Sequence, residues 1–292
     1  MKKGIVVKDK NNFVGTIVYS LYKSGYDIVD FNDNLQSYTH LVVFFNKLPP
    51  KLNTSAKIAW WMNDFRPPEI IDEDLNTHAR NFDMIFLCQT QSINDYEKYF
   101  RVPCFYMPQV GIDDEKQFSI PQVRSSKLLD FDVLFLGGIT HPLYHVDRQE
   151  YVDLIKTEFN IQVISNEKHT TDQCFLYKNT PINLSISLPY KLMTSNRLYN
   201  ILSSGGFALV KYFPKIELLF ENKKHLVWFE TKKEMMNLIA HYLLFTEERK
   251  EIAKQGKLLY ANKHTSKNRA DNMFDIMIGV EKQFRGFLNY KK

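Results

Sequence analysis

No stretch of this chain is apolar over anything near the ~20 residues that a membrane-crossing helix needs. Its longest apolar runs, such as Leu41–Phe45, have the length of a strand. The amino end carries Lys2 and Lys3, but the apolar stretch behind them stops at Lys8, so no secretion signal is expected and a cytoplasmic location is. Cys88, Cys104 and Cys174 are too few for a disulfide framework and fall in no CxxC or Cys/His spacing, so no metal set is expected. Cys88 and Cys104 lie in apolar stretches, where an inert buried thiol is the plain reading. An excess of one charge is also lacking. Lys and Arg number 38 against 33 Asp and Glu, and the resulting +5 suits a phosphate-bearing ligand without being a nucleic-acid footprint. Neither the GxGxxG of nicotinamide-type dinucleotide folds nor the GxxxxGK[ST] of P-loops occurs, and no solenoid-period repeat is present.

What remains is a globular composition, 44% hydrophobic and 24% charged over 292 residues, enough for two domains with separate cores. Gly4–Val7, Asp27–Phe31, Leu41–Phe45, Ile58–Met62, Met84–Cys88 and Pro103–Met107 read as strands. Their apolar runs are too continuous for half-exposed strands, which predicts a parallel sheet covered on both faces. Val14, Ile17, Val18 and Leu21 share one helix face, Gly25 ends that helix, and Ser92 caps another through Tyr99. The polar stretch 111–130 breaks the pattern and reads as a linker. Alternation then restarts with strands Asp132–Leu136, Ile161–Ile164, Ile182–Leu188, Phe207–Val210 and Leu226–Phe229. Helices are expected over Arg148–Phe159 and Asn196–Ser203, on the stripe Met235–Leu243, over Ile252–Leu259 and along an amphipathic tail, Ala270–Leu288.

Parallel sheets bind ligands at the carboxyl ends of their strands, where helix N-termini point amides outward. Two segments qualify. One is the Gly137-Gly138 turn, which lets a backbone approach a ligand closely. The other is Thr194-Ser195-Asn196, an N-cap followed at once by Arg197. A cation is disfavoured at the positive end of a helix dipole, so Arg197 either shares an anion with the free amides or simply reaches a carboxylate elsewhere. Glu217 opens a helix-like turn further on, while Asp72-Glu73-Asp74 and Asp130-Phe131-Asp132 read as solvated surface rather than metal-binding DxD strings. Trp60 and Trp61 alternate faces on one strand, so one is expected in the core while the other is free to stack on a sugar or base.

Several elements in sequence order resemble the C-terminal half of GT-B glycosyltransferases of the CgeB-like branch. They are Ser195–Tyr199, Gly205–Val210, Ile216–Phe220, His241–Leu244 with Glu247–Arg249, Ile252–Gly256, and His264-Thr265 with Arg269. Asp132–Gly138 with Arg148 resembles the first strand of that domain. Lys57–Asp64 resembles a strand end facing the family's cleft, and Pro108–Asp113 the Pro-x-Gly-x-Asp run before its linker.

The resemblance implies an α/β GT-B fold, two Rossmann-like domains whose parallel sheets face each other across a cleft. It implies an acceptor-side domain over 1–125, a nucleotide-sugar domain over 126–269, and a tail, 270–292, packed back on the first. It implies sugar transfer from a UDP- or GDP-linked donor to a hydroxyl, without metal and with no cofactor besides the donor. Thr194, Ser195, Asn196 and Arg197 would hold the diphosphate, Gly137 and Gly138 would line the cleft, and Glu217 would take the ribose hydroxyls. Asn200 stands where many relatives carry glutamate, also among the nucleotide-binding positions. For the general base, Asp64 is the best-placed carboxylate, with His141 and then His145 behind it. The acceptor would be a saccharide or small molecule. Two other readings are a viral-type DNA glycosyltransferase, from the sequence pI of about 8.8, the paired tryptophans and the Lys/Arg-rich surface, and a non-catalytic GT-B relative, from Asn200.

Overall fold

The computed structural model describes residues 1–7, 17–44, 51–62, 73–91, 93–113, 130–139, 147–164 and 173–290. It divides the chain into two compact units: Met1–Gln109 with Tyr190–Thr194 and Ser266–Lys292, and Val110–Pro189 with Ser195–Thr265. The expected boundary at 125/126 lies outside the described residues.

The first unit carries β1 (Lys3–Val7), β2 (Asp27–Asp30), β3 (His40–Phe44), β4 (Lys57–Met62), β5 (Met84–Leu87) and β6 (Cys104–Tyr106). They form one parallel sheet in the order β2-β1-β3-β4-β5-β6. Its helices are α1 (Ile17–Lys23), α2 (Glu73–Ala79), α3 (Ile93–Phe100) and α9 (Ser266–Met277). Continuous apolar runs form these strands because both sheet faces are covered. On one face, Val6, Leu41, Val43, Trp60 and Ile85 join Leu75 and Ala79 of α2 and Tyr96 and Phe100 of α3 in a single core. The opposite face buries Ile5, Val42 and Trp61.

Both tryptophans are therefore interior. Trp60 packs on Phe82 with ring centres 5.5 Å apart, and Trp61 packs on Phe44 at 5.2 Å while its Nε1 donates to the Met107 carbonyl at 3.4 Å. Neither is free to stack on a ligand, which corrects the expectation and removes one of the three motives for a DNA acceptor. All three cysteines are buried and free.

The tail enters the first unit's core. Tyr26 donates to Asp271 and stacks on Phe274 at 5.5 Å, and Lys57 Nζ donates to the Met277 carbonyl at 2.7 Å. The expected helix to Leu288 stops at Met277, because Gly279 adopts a left-handed φ of 78° and the chain turns. Beyond it, Phe284 and Phe287 pack on Tyr106 at 5.4 and 5.8 Å.

The second unit carries β7 (Val133–Leu136), β8 (Ile161–Ile164), β9 (Ile182–Ser185), β10 (Ala208–Lys211) and β11 (Val227–Phe229), parallel in the order β11-β10-β9-β7-β8. Its helices are α4 (Arg148–Ile155), α5 (Gln173–Asn179), α6 (Asn196–Ser204), α7 (Lys232–Leu244) and α8 (Thr246–Lys263). The expected strands match these within a few residues; α5 had no counterpart among the expected elements. Phe135, Leu184, Ile186, Leu209 and Val227 share a core with Tyr151 of α4 and Met235 and Ile239 of α7. Asn183, fully buried on β9, donates through Nδ2 to the carbonyls of Tyr177 (2.9 Å) and Phe207 (3.1 Å), tying α5 to the turn before β10.

Candidate functional site

The second sheet has a topological switch point. From β7 the chain crosses to β8 on one side and then returns to β9 on the other, so the two connections leave a crevice between β7 and β9. The ladder shows where it opens. β7 stays in register with β8 through Leu136–Ile164, whereas with β9 it pairs only through Leu134–Asn183. Beyond that pair the strands part, and their carbonyls need other donors.

Arg197 supplies them. Ser195 caps α6 in an extended conformation, its Oγ accepting from the Leu198 amide at 3.4 Å, which places Arg197 in the first turn. Its Nε donates to the Leu136 carbonyl and its Nη1 to the Ile186 carbonyl at 3.3 Å, so the guanidinium lies across the parted strand ends. Its Nη2 has no acceptor among the described residues. The guanidinium also covers the Phe135 ring at 4.1 Å. Gly137 makes room for it: at φ 137°, a conformation that side chains rarely take, a Cβ there would fall on Nη2 of Arg197. Gly137→Ala is accordingly expected to displace the guanidinium and to lower the melting temperature, as a thermal scan would read.

A second cation lies close by, which the sequence reading had noted only as part of a strand motif. Arg148, the first residue of α4 and 8% exposed, donates from Nη1 to the Gly138 carbonyl at 2.9 Å. Its guanidinium is 5.8 Å from the same Phe135 ring. Two guanidiniums thus bracket the Leu136-Gly137-Gly138 turn. Burial pulls Arg197 down to about 10, while burial and then the charge of Arg197 pull Arg148 down to about 9. Both remain cationic at neutral pH. Among the described residues no carboxylate pairs with either. Two neighbouring, desolvated like charges facing only carbonyls are costly, and an anion relieves that cost. At the end of β9, Ser185 Oγ and Ser187 Oγ are buried without a hydrogen-bond partner among the described residues. The strand end thus offers polar groups that the fold itself does not use.

The other expected positions are placed as follows. Asn196 opens α6 beside Ser195. Thr194 belongs to the first unit and is fully buried. Asn200 has a local task, its Oδ1 accepting from the Ile112 amide at 2.9 Å and anchoring the segment in which Gly111 lies against the Tyr199 backbone. A residue here thus has a structural use whether or not it touches a ligand, which weakens Asn200 as a sign of lost activity. Glu217 is exposed in a one-turn 3-10 helix, Ile216–Leu218, just after β10, with Lys215 Nζ 3.9 Å away. Asp64, His141 and His145 lie outside the described residues. Among the described residues no three His, Cys, Asp or Glu side chains cluster as a metal set. No described helix is long and apolar enough to cross a membrane.

This geometry can be set beside known proteins. No curated protein matches the chain by sequence. Residues 136–275 match the model of a glycosyl transferase-like family. Among solved structures, HepE from Anabaena, in complex with UDP and glucose, is 10% identical, with 96% of this chain and 100% of that one covered and a TM-score of 0.58. The BGT of phage T4, in complex with its UDP-glucose substrate, is 13% identical over 95% of this chain and 99% of that one, again at 0.58. An α1,3-fucosyltransferase with GDP is 10% identical over 98% and 92%, at 0.55. At such identities the likeness establishes architecture, and the architecture agrees with the two parallel sheets. The chain therefore has the GT-B fold, and the segment that carries its arginine pair matches the glycosyl transferase-like family.

Proposed function

We propose that this protein is a glycosyltransferase that moves a sugar from a UDP- or GDP-linked donor to an acceptor hydroxyl, and that the donor diphosphate lies at the parted ends of β7 and β9. The observation that carries the reading is the pair Arg197 and Arg148. They are two cations without a carboxylate among the described residues, beside the N-terminus of α6, inside the segment that matches the family. Structural neighbours solved with UDP, UDP-glucose and GDP support a nucleotide donor. Within the family, the ordered elements from Ser195 to Arg269 support placement in the CgeB-like branch.

When the glycosidic bond breaks, negative charge grows on the departing diphosphate. The guanidinium of Arg197 and the first-turn amides of α6, at Asn196 and Arg197, stabilise that charge where it develops. Ser195 holds the turn, and Gly137 and Gly138 let the phosphates approach the backbone. Glu217 accepts from the ribose hydroxyls, and the Nδ2 of Asn200 is a donor toward the nucleoside. Protein cations do the neutralising, so transfer proceeds without a metal ion. The acceptor is a saccharide or small molecule, its proton taken by Asp64 or His141.

Calorimetric titration with UDP and GDP tests the donor site, and hydrolysis of UDP- and GDP-sugars in EDTA tests the chemistry. Binding of one nucleoside diphosphate and turnover that survives EDTA are expected. No binding of any nucleoside diphosphate would overturn the reading.

A further inference from the structure

The donor site proposed above uses the strand ends of the second sheet. The strand starts carry a separate cavity. A helix that follows a strand of a parallel sheet runs back along it, so the second half of α7 reaches the edge from which β11 begins. There Glu234, Asn237, Leu238 and His241, at the i, i+3, i+4, i+7 spacing of one helix face, meet Lys223 of the turn before β11 and Glu248 of α8. With Tyr242 they line a cavity of about 400 Å³, the size of a small-molecule site.

The fold holds these walls in place. Glu248 accepts from His241 Nε2 at 2.9 Å and from the Tyr242 hydroxyl at 3.4 Å, and Glu234 Oε2 accepts from the Glu230 amide at 2.8 Å. Tyr242 is buried against Phe207, ring centres 4.7 Å apart, and its carbonyl accepts from Arg249. Lys223 takes a left-handed φ of 62°, its amide donating to the Leu226 carbonyl at 2.8 Å. Hydrogen-bonding capacity of both kinds is left over. Each carboxylate keeps open acceptor positions, while the Asn237 amide and the Lys223 ammonium have no partner among the described residues. Beside the cavity stands Phe245, four residues past His241. Its ring stacks on that imidazole, centres 4.3 Å apart and planes 24° from parallel, and is 53% exposed. A half-open ring next to a polar cavity is a flat apolar platform.

The charges narrow the class of occupant. Two carboxylates repel a phosphate or any other anion, and Lys223 opposes a compact cation. Among the described residues no three His, Cys, Asp or Glu side chains could hold a metal. A neutral sugar satisfies every wall. Its hydroxyls donate to carboxylates and accept from an amide or ammonium, and the C–H face of its ring lies on an aromatic one. We infer that the face of α7 from Glu234 to Phe245 is a carbohydrate-binding site apart from the donor site. It holds a neutral oligosaccharide by stacking on Phe245 and by hydroxyl bonds to Glu234, Asn237 and Glu248, and it requires nothing of the strand ends.

Saturation-transfer NMR and calorimetric titration of the full chain with cellotetraose, maltotetraose, chitotetraose and mannotetraose test it. At least one should bind, with saturation reaching its ring protons. Phe245→Ala should weaken that binding by about tenfold, the scale of one aromatic contact, and Asn237→Ala by about fivefold, the scale of one hydrogen bond. Both side chains are exposed, so both variants should melt like the wild-type protein and bind UDP and GDP with unchanged affinity. No binding of any of these oligosaccharides, or binding that neither substitution weakens, overturns the inference and leaves the donor site standing. A wild-type dimer in sedimentation that Phe245→Ala dissociates assigns the platform to a second copy of the chain and overturns it too. Oligosaccharide binding that Phe245→Ala weakens, in a chain that binds no nucleoside diphosphate, removes the donor reading and keeps this one.

Discussion

Arg197→Met should lower nucleoside diphosphate affinity by about 100-fold or more and lower the unfolding free energy by about 2–6 kcal/mol. The first figure follows from losing two charge-assisted contacts of about 1.5 kcal/mol each, at 1.4 kcal/mol per tenfold. The second follows from the parted strands. Without the guanidinium, the carbonyls of Leu136 and Ile186 lose their donor, and each buried unsatisfied group costs about 1–3 kcal/mol. Arg197→Lys separates the two effects. An ammonium keeps the positive charge but cannot span both carbonyls with a rigid fork, so binding should be partly retained while stability still falls. Urea unfolding followed by titration of the folded fraction measures both. If Arg197→Met unfolds like the wild-type protein and binds UDP and GDP as well, the guanidinium is neither a strap nor a ligand contact.

The other large effect concerns the tail. A chain ending at Thr265 should fail to fold its first unit. Removal of 266–292 takes away Met273, Phe274, Ile276, Met277 and Phe284, all buried. At about 1.5–3 kcal/mol each, these five account for roughly 8–15 kcal/mol, as much as the whole stability of an ordinary domain. Polar ties go with them, the Tyr26–Asp271 bond and the one from Lys57 to the Met277 carbonyl. A milder version is Phe274→Ala, expected to cost about 3–5 kcal/mol through the cavity left beneath Tyr26. Urea unfolding and near-ultraviolet circular dichroism read both. Native-like aromatic signals and an unchanged first transition in the truncated chain would show that the tail only decorates the surface.

Much of this architecture was legible before any coordinates. Continuous apolar runs such as Leu41–Phe45 and Met84–Cys88 could only be strands buried on both faces, and that alone predicts parallel sheets between helices. Applied consistently, the same argument would have buried both Trp60 and Trp61, since neither face of such a sheet is free. The stop at Gly279 was legible too. A glycine after an amphipathic run is a helix terminator, and the Val280 amide returning to Asp275 and the Gly279 amide to Ile276 complete that turn. Helix α5 (Gln173–Asn179) was not legible, because its buried Cys174, Leu176 and Tyr177 do not extend into the i, i+3, i+4, i+7 spacing that marked α1.

The sequence by itself determined the alternation of strands and helices, the cap at Ser195 and the odd placement of a cation at Arg197, because each is a property of neighbouring residues. Tertiary structure alone decided that Arg148 and Arg197 share one turn, that Asn200 holds Ile112, and that Arg197 fills the gap between β7 and β9. The reason is topological. Crossover connections in a parallel sheet return to the same edge, so groups far apart in the chain meet at the strand ends, and no local pattern records which of them will meet.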